Sequence, residues 1–208
     1  MNAFERGLAR YLGEGVLAFL RTVRIGVIGA GGLGSNCAMH LVRSGFADLV
    51  LADPDTVEPS NLNRQQFTLA QVGRPKVLAL RDNLLAVNPD AAIEAHIRAV
   101  DADGMAELFG ACRAVVEAVD DARTKKLVVE TLVPAGRLVV GASGLGGAGV
   151  AERIRVSRPL PNLVLVGDLT TPCDAATPPL SPGVGMAAAM QADAVLHHFL
   201  TVYNEKKP

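Results

Sequence analysis

The sequence predicts an α/β fold in which a mostly parallel, doubly wound sheet carries helices on both faces. Up to residue 142, short apolar runs of strand length alternate with longer segments of helical periodicity. The apolar runs are nearly continuous, as expected for parallel strands that are buried on both faces. Half of the 208 residues are hydrophobic and a fifth are charged, which is typical of a globular protein. We therefore expect one domain over residues 1–208.

The elements follow from periodicity and from the turn residues that flank them. The predicted strands cover residues 23–28, 49–52, 93–97, 114–119, 137–142 and 150–156. The predicted helices cover residues 4–20, 32–45, 74–87, 104–109, 121–132 and 184–202. Residues 53–68 are polar and are expected to form a loop with at most one helical turn. A proline-rich loop should follow residue 156, and residues 167–182 should be irregular, so the chain ends in a strand, a loop and a helix beyond the sheet.

A glycine-rich turn follows the first predicted strand. Residues 29–35 read Gly-Ala-Gly-Gly-Leu-Gly-Ser, in which Gly29 allows a tight turn, Gly31 lets a phosphate approach the backbone, and Gly34 lets helix and strand pack closely. The N–H groups at the helix start then face the phosphate, and Gly32 leaves further backbone open to a ligand. The pattern predicts a Rossmann-like fold and a phosphate-bearing ligand, which could be NAD, FAD or a nucleoside triphosphate.

Polar groups after the second predicted strand extend this prediction. Asp53 lies 19 residues beyond Gly34, where a ribose-binding carboxylate belongs in a nucleotide-binding fold. Asn61 offers an amide for ribose or phosphate, Arg64 a planar guanidinium for phosphate oxygens, and Lys76 a compact positive charge. From position alone, Arg64 and Lys76 could equally be ordinary surface charges and Asn61 a turn cap.

Charge and cysteine content narrow the function classes. A formal net charge of −1 gives no support to a role on nucleic acid or on a membrane surface. No apolar run is long enough to span a bilayer, and residues 1–10 lack a signal-peptide core, so we expect a cytoplasmic protein. The three cysteines, Cys37, Cys112 and Cys173, are far apart and form no Cys-x-x-Cys pair. We therefore expect neither a disulfide framework nor a four-thiolate zinc site.

Four motifs, in order along the chain, resemble the ThiF and MoeB family. They are the glycine turn at 29–35, Asp53-x-Asp55-x-Val57, Asn61-Leu-x-Arg64-Gln65 and Gly73-x-x-Lys76. The resemblance continues through Asn88-Pro89, Glu117-Ala-Val-Asp120, Ser143-Gly144, Gly167-Asp168 and Gln191-Ala192. Members of this family adenylate ubiquitin-like sulfur-carrier proteins and share ancestry with the ubiquitin-activating enzymes. The short length and the two Gly-containing turns are most similar to the compact ThiF form of thiamine biosynthesis, with molybdopterin or another sulfur pathway as the alternative.

The resemblance implies a reaction in which the C-terminal glycine carboxylate of a carrier with a Gly-Gly tail attacks the α-phosphate of ATP. Pyrophosphate is the leaving group. The residues implied to bind ATP are Gly29, Gly31, Gly32, Gly34, Ser35, Asp53, Asn61, Arg64 and Lys76. Arg64 and Lys76 would also neutralise charge in the transition state, and Asp120 would hold Mg²⁺. Asp120 could instead be the N-cap of the following helix, and Asp121 is the alternative carboxylate for the metal.

The resemblance also implies a homodimer in which an N-terminal arginine, Arg10 or Arg6, reaches the partner's ATP. Cys173 lies where some relatives carry a cysteine that joins covalently to the carrier, although it could be an incidental surface thiol. Its neighbour Asp174 does not supply the positive charge that would activate a thiol. Two other classes remain: an NAD-binding oxidoreductase, and a scaffold that binds a ubiquitin-like tail without chemistry. Lys76 is expected to be a surface residue whose removal leaves the fold intact.

Overall fold

Seven strands form one sheet in the computed structural model, which describes residues 1–205. The strands are β1 (Arg24–Ile28), β2 (Asp48–Ala52), β3 (Ala92–His96), β4 (Ala114–Glu117), β5 (Leu138–Ala142), β6 (Arg155–Leu160) and β7 (Leu163–Gly167). Their order is β3-β2-β1-β4-β5-β7-β6, and every pair is parallel except β6 with β7. The predicted α/β fold with a mostly parallel sheet is confirmed. The order reverses between β1 and β4, which makes the carboxyl ends of these strands a topological switch point.

Helices cover both faces of the sheet. They are α1 (Ala3–Leu12), α2 (Glu14–Arg21), α3 (Gly32–Arg43), α4 (Lys76–Leu85), α5 (Ala102–Phe109), α6 (Ala122–Leu132) and α7 (Ser181–Glu205). Because side chains alternate along a strand, Val116 packs with α3, α4 and α7 on one face while Val115 packs with α5 and α6 on the other. Within residues 1–205, no helix combines the length and the apolar character that crossing a membrane requires.

The N-terminal helix expected over residues 4–20 is two helices. Gly13 separates α1 from α2 and has φ 81°, a left-handed conformation that glycine adopts without steric cost. The buried carboxylate of Glu5 holds the two helices together through an ion pair with Arg21 Nε at 3.0 Å.

The C-terminal part also differs from the prediction. The strand expected at 150–156 begins later, because Val150–Glu152 is a 3-10 turn and β6 starts at Arg155. The proline-rich loop expected after residue 156 contains the rest of β6 and all of β7. Pro159 and Pro161 argue against a strand in general, but Pro159 lies in an edge strand and Pro161 in the turn that follows, where a missing N–H is tolerated.

The close approach of α3 to β1 depends on Gly34. A Cβ at this position would overlap the carbonyl oxygen of Gly29. We expect Gly34→Ala to lower the free energy of unfolding by about 1–3 kcal/mol, because overpacking forces the backbone apart. Urea unfolding measures the effect.

The matched control is Gly185→Ala. Gly185 lies in α7 with open space around its Cα, so alanine should leave stability unchanged or raise it by up to about 1 kcal/mol through helix propensity. Equal urea midpoints for Gly34→Ala and wild type would contradict the packing argument.

Candidate functional site

A cavity of about 990 Å³ lies at the carboxyl ends of β1, β2, β4 and β5. It therefore coincides with the switch point, where open α/β sheets bind ligands. Its volume is sufficient for a nucleotide-sized molecule. Of the predicted site residues, those that line the cavity are Gly29, Gly31, Gly32, Asp53, Asn61, Arg64, Lys76, Asp120 and Cys173.

The glycine turn forms one wall of this cavity. Gly29 has φ 93°, and a Cβ there would lie 2.6 Å from the carbonyl oxygen of Ala118. Gly31 is the N-cap of α3, so the helix begins with its amide groups at the cavity. Gly32 has a second role besides exposing backbone: a Cβ would lie 2.9 Å from Val184 Cγ1 and 3.3 Å from Arg64 Cγ, so glycine makes room for both side chains.

Two residues of the predicted ATP-binding set lie behind the wall. Gly34 and Ser35 are buried and do not line the cavity. The Ser35 hydroxyl donates to Gly31 O at 2.7 Å and accepts from Gln66 N at 3.1 Å. The structure therefore places Ser35 where it ties the turn to the polar segment, and not where it contacts a ligand directly.

Asp53 holds the glycine turn in place. Its buried carboxylate accepts from Ala30 N at 2.6 Å and from Asp55 N at 2.8 Å. The carboxylate also lines the cavity, and its remaining lone pairs are free to accept from a ligand hydroxyl.

Lys76 is buried, which corrects the expectation of a surface residue. Its Nζ lies 2.7 Å from Asp55 Oδ2, and the Lys76 side chain is 9% exposed against 61% for Asp55. The backbone N–H of Lys76 also donates to Asp55 O at 2.9 Å. Both contacts position the lysine at the start of α4, facing the cavity. Its removal would leave a gap in packed structure, so some loss of stability is expected.

Arg64 and Asn61 contribute from the segment after β2. Arg64 is half-buried, and its Nη1 donates to Asn63 Oδ1 at 2.8 Å. No carboxylate in the described part of the chain forms an ion pair with Arg64, so its charge is available to an anion. Asn61 Oδ1 accepts from Glu58 N at 3.0 Å, so the turn-cap alternative is observed for this oxygen while the side chain also lines the cavity.

The two carboxylates after β4 have different tasks. Asp121 is the N-cap of α6, and hydrogen bonds from the backbone N–H and hydroxyl of Thr124 hold the pKa of Asp121 below its usual range. The interpretation of Asp120 as the cap is therefore wrong. Asp120 is exposed and lines the cavity.

The donor set fits Mg²⁺ better than a metal held by protein alone. Within residues 1–205, no group of three or more His, Cys, Asp or Glu side chains could hold a metal. Mg²⁺ needs one or two carboxylates, with water and phosphate oxygens as its other ligands. Asp120, which lines the same cavity as the start of α3, could supply one such carboxylate.

Sequence reasoning missed Lys125. Its Nζ contacts both carboxylate oxygens of Glu117, at 2.9 and 3.0 Å, and Ala142 O at 2.9 Å. Burial raises the pKa of Glu117, and the charge of Lys125 acts in the opposite direction. Gln191 Nε2 donates to the carbonyl oxygens of Glu117 and Val140. These contacts hold the carboxyl ends of β4 and β5 together. The sequence signal that could have indicated this role is the position of Lys125, one helical turn after the N-cap Asp121.

Gln65 ends the Asn61-to-Gln65 motif and has no predicted role in binding or catalysis. Its side chain is buried at the cavity wall, and Oε1 has no hydrogen-bond partner within residues 1–205. A buried acceptor without a donor is costly. A bound ligand or water with a donor group would form the missing hydrogen bond to Oε1. The unpaired oxygen therefore fits a ligand-binding role for this wall.

Cys173 lies across the cavity on the loop after β7. The loop is anchored by Asp168, which forms an ion pair with Arg153 and accepts from the N–H groups of Thr170 and Thr171. Hydrogen bonds, first from the Thr171 hydroxyl, hold the pKa of Asp168 well below its usual range. The exposed Cys173 thiol is thus brought to the same cavity as the glycine turn.

The N-terminal arginines do not join this group. Arg10 and Arg6 are exposed on α1, and neither lines the cavity. Arg6 Nη1 donates to Met1 O at 2.7 Å.

A glycine turn at a helix start and an acidic residue after β2, both at the switch point, are characteristic of a Rossmann-like α/β fold. The chain belongs to the ThiF family, whose model matches residues 4–208. This confirms the resemblance found in the motifs.

Two curated relatives match the chain over part of their length. An "Adenylyltransferase and sulfurtransferase uba4" of Aspergillus niger is 33% identical over 127 residues, which are 61% of this chain and 26% of the relative. A "Sulfur carrier protein adenylyltransferase" of Thermus thermophilus is 36% identical over 125 residues, which are 59% of this chain and 46% of the relative. The matched region thus spans less than half the length of either protein.

Solved structures share the fold. The E. coli tRNA N6-threonylcarbamoyladenosine dehydratase TcdA in complex with AMP superimposes with a TM-score of 0.85, covering 94% of this chain and 93% of that chain at 21% identity. The TcdA complex with ATP superimposes with a TM-score of 0.84, covering 97% of this chain and 96% of that chain at 22% identity.

The cap assignment gives a pH-dependent prediction. Asp121→Ala should lower the urea midpoint at neutral pH, because it removes the hydrogen bonds that cap α6. The folded pKa of Asp121 is lowered, so its contribution is present above the unfolded pKa and is lost as pH falls through the folded pKa. The difference from wild type should therefore shrink in acid. Asp120→Ala is the control and should leave the midpoint at neutral pH unchanged; equal losses for both variants would contradict the assignment.

Proposed function

We propose that this chain uses ATP to adenylate the C-terminal glycine carboxylate of a ubiquitin-like sulfur-carrier protein, with release of pyrophosphate. The observation that carries the proposal is the convergence of Arg64, Lys76 and Asp120 with the start of α3 on one cavity. Dinucleotide binding alone would need the glycine turn and Asp53, but not this set of charges. The relatives from Aspergillus niger and Thermus thermophilus are both named as adenylyltransferases, which supports the same class.

ATP binding is proposed to begin at α3. The first turn of a helix leaves N–H groups without helical acceptors, and Gly31 and Gly32 expose this turn to the cavity. Asp53 accepts from the ribose, and Asn61 contributes its amide. Gly34 and Ser35 act indirectly in this proposal, by keeping the turn in shape.

The adenylation reaction requires groups that neutralise phosphate charge and does not require a general base. The attacking carboxylate is already ionised at neutral pH, so no side chain has to remove a proton. A carboxylate oxygen forms a bond to the α-phosphorus, and the bond from that phosphorus to the oxygen bridging to the β-phosphate breaks. Arg64 and Lys76 neutralise charge on the phosphate oxygens as this happens. Asp120 would hold Mg²⁺, which would supply further positive charge to the phosphates.

Lys76 is held ready for this role by Asp55. Their 2.7 Å contact fixes Nζ at the cavity wall, and the larger exposure of Asp55 lets its carboxylate give way to a phosphate oxygen. The lysine therefore exchanges one anionic partner for another, with little movement of its own buried stem.

Pathway and assembly are further parts of the proposal. The compact length and the turns at Ser143-Gly144 and Gly167-Asp168 favour a ThiS-like carrier of thiamine thiazole biosynthesis, and a molybdopterin carrier is the alternative. The chain is proposed to act as a homodimer in which Arg10 or Arg6 approaches the partner's nucleotide. Neither arginine reaches the cavity of its own chain, which is consistent with that role.

A second candidate comes from the solved structures. TcdA and this chain cover more than nine tenths of one another, which favours a tRNA N6-threonylcarbamoyladenosine dehydratase as the alternative function. The formal net charge of −1 disfavours it, because tRNA binding draws on basic surface.

Carrier-dependent exchange of labelled pyrophosphate into ATP tests the proposal. The panel contains thiamine-type and molybdopterin-type carriers with free Gly-Gly tails, each carrier with its last glycine removed, and tRNA bearing threonylcarbamoyladenosine in a separate dehydration assay. Exchange with one intact carrier supports adenylation and identifies the pathway. Tight NAD binding without exchange, or turnover of the modified tRNA alone, would overturn the proposal.

Lys76→Ala should reduce the exchange rate about 100-fold or more, because a preorganised charge at the phosphates is lost. A moderate loss of stability should accompany it, and Lys126→Ala is the control. Lys126 is 73% exposed on α6 and does not line the cavity. A near wild-type exchange rate in folded Lys76→Ala protein would remove Lys76 from the mechanism.

Asp120→Asn should raise the Mg²⁺ concentration needed for half-maximal exchange, since a neutral amide is a weaker ligand. Asp121→Asn is the matched control, because asparagine still caps a helix. If the Mg²⁺ titration moves with Asp121→Asn and not with Asp120→Asn, the metal assignment goes to Asp121.

Cys173→Ser should leave pyrophosphate exchange unchanged and abolish sulfur transfer to the carrier, if the thiol forms a covalent bond to it. Mass spectrometry of the enzyme–carrier mixture detects that bond. Unchanged sulfur transfer in the variant would show that the thiol is incidental.

A further inference from the structure

A second cavity, of about 200 Å³, lies at the amino ends of the strands, at the opposite edge of the sheet from the first. Arg113 directly precedes β4 and Arg137 directly precedes β5, and these strands are parallel neighbours. The backbones of the two arginines therefore lie side by side at the start of these strands. Both residues line the cavity, together with Asn162 and His198.

Arg113 is held in position by aromatic rings. Its guanidinium carbon lies 4.9 Å from the centre of the Phe199 ring and 5.6 Å from that of Phe19. Stacking uses the faces of a guanidinium and leaves its N–H donors free at the edge. Arg137 is fixed differently, through a 2.6 Å hydrogen bond from Nη2 to Gly110 O.

The positive charge at this cavity is not balanced. Among residues 1–205, no carboxylate forms an ion pair with Arg113 or Arg137. His198 on α7 adds a third group, and its pKa is lowered first by burial and then by the charges of Arg113 and Arg158. His197 acts in the same direction, and Glu205 acts against it. Two preorganised cations beside a titratable imidazole are the donor set of an oxyanion site.

We propose that this second cavity binds one phosphate group, either as inorganic phosphate or as the end of a small phosphate monoester. A dianion balances the two guanidinium charges, and its oxygens match their planar donors. The volume of about 200 Å³ is sufficient for a single phosphate and lies below the roughly 300–1,000 Å³ of typical small-molecule pockets. The site is separate from the proposed ATP cavity and does not depend on that proposal.

The experiment is an NMR titration of the histidine rings with inorganic phosphate at constant ionic strength. A bound anion stabilises imidazolium, so phosphate should raise the pKa of His198. The exposed neighbour His197 is the internal control and should not respond. Because His198 reports locally, phosphate that binds in the ATP cavity does not produce this signal.

Variants identify the donors. Arg113→Gln with Arg137→Gln should weaken phosphate binding about tenfold or more, since each loses a hydrogen bond to a charged group. If the loss of the stacked Arg113 prevents folding, the single variant Arg137→Gln tests the same prediction and should also weaken phosphate binding. Arg158→Gln removes a nearby charge that does not line the cavity and should retain binding within about twofold.

Glycerol 3-phosphate distinguishes inorganic phosphate from a phosphate monoester as the ligand of this cavity. Competition with inorganic phosphate for the His198 signal indicates a monoester, and lack of competition indicates the free ion. The proposal is overturned if the pKa of His198 is the same with and without phosphate. An equal shift in the pKa of His198 with sodium chloride would overturn it as well. So would an Arg113→Gln/Arg137→Gln variant that loses a dimer but shows no change in phosphate binding.

Discussion

The hydrogen bond from the Ala30 N–H to the Asp53 carboxylate, 2.6 Å long, fixes the glycine turn against the end of β2. The second oxygen of Asp53 accepts from Asp55 N, and Asp55 in turn holds Lys76 through its side chain and its carbonyl oxygen. One carboxylate therefore couples the start of α3 to the proposed catalytic lysine. Because both neighbours depend on it, the distance between the helix start and the lysine amine is set before any ligand arrives.

The opposite flank of the cavity contains an ion pair between a buried carboxylate and a half-buried lysine. Lys125 and Glu117 join α6 to the end of β4, and the same amine contacts Ala142 O at the end of β5. Glu117 is the buried partner, so removing Lys125 would leave a buried carboxylate without its ion pair. The pair is therefore a positioning element. Of the groups proposed to meet the ligand, Arg64 is half-buried and Asp120 is exposed, and both line the same cavity.

The sequence predicted most of the fold, because parallel strands leave nearly continuous apolar runs and the glycine turn marks the first strand-to-helix junction. Two features escaped for physical reasons. Pro159 and Pro161 hid the hairpin of β6 and β7, since a sequence pattern does not reveal that β6 lies at the edge of the sheet. The burial of Lys76 depends on Asp55, a partner 21 positions away, and composition does not encode that contact. Lys125 was missed likewise, because its role depends on a carbonyl oxygen from another strand.

We propose that a single cavity holds ATP with its α-phosphate between Arg64 and Lys76. A crystal structure with a non-hydrolysable ATP analogue and Mg²⁺ tests it most directly. We expect the phosphates at the start of α3, the metal on Asp120, and a phosphate oxygen in place of the Asp55 carboxylate at Lys76 Nζ. A nucleotide bound elsewhere, or bound with the Lys76–Asp55 contact intact and no phosphate near Arg64, would contradict the claim.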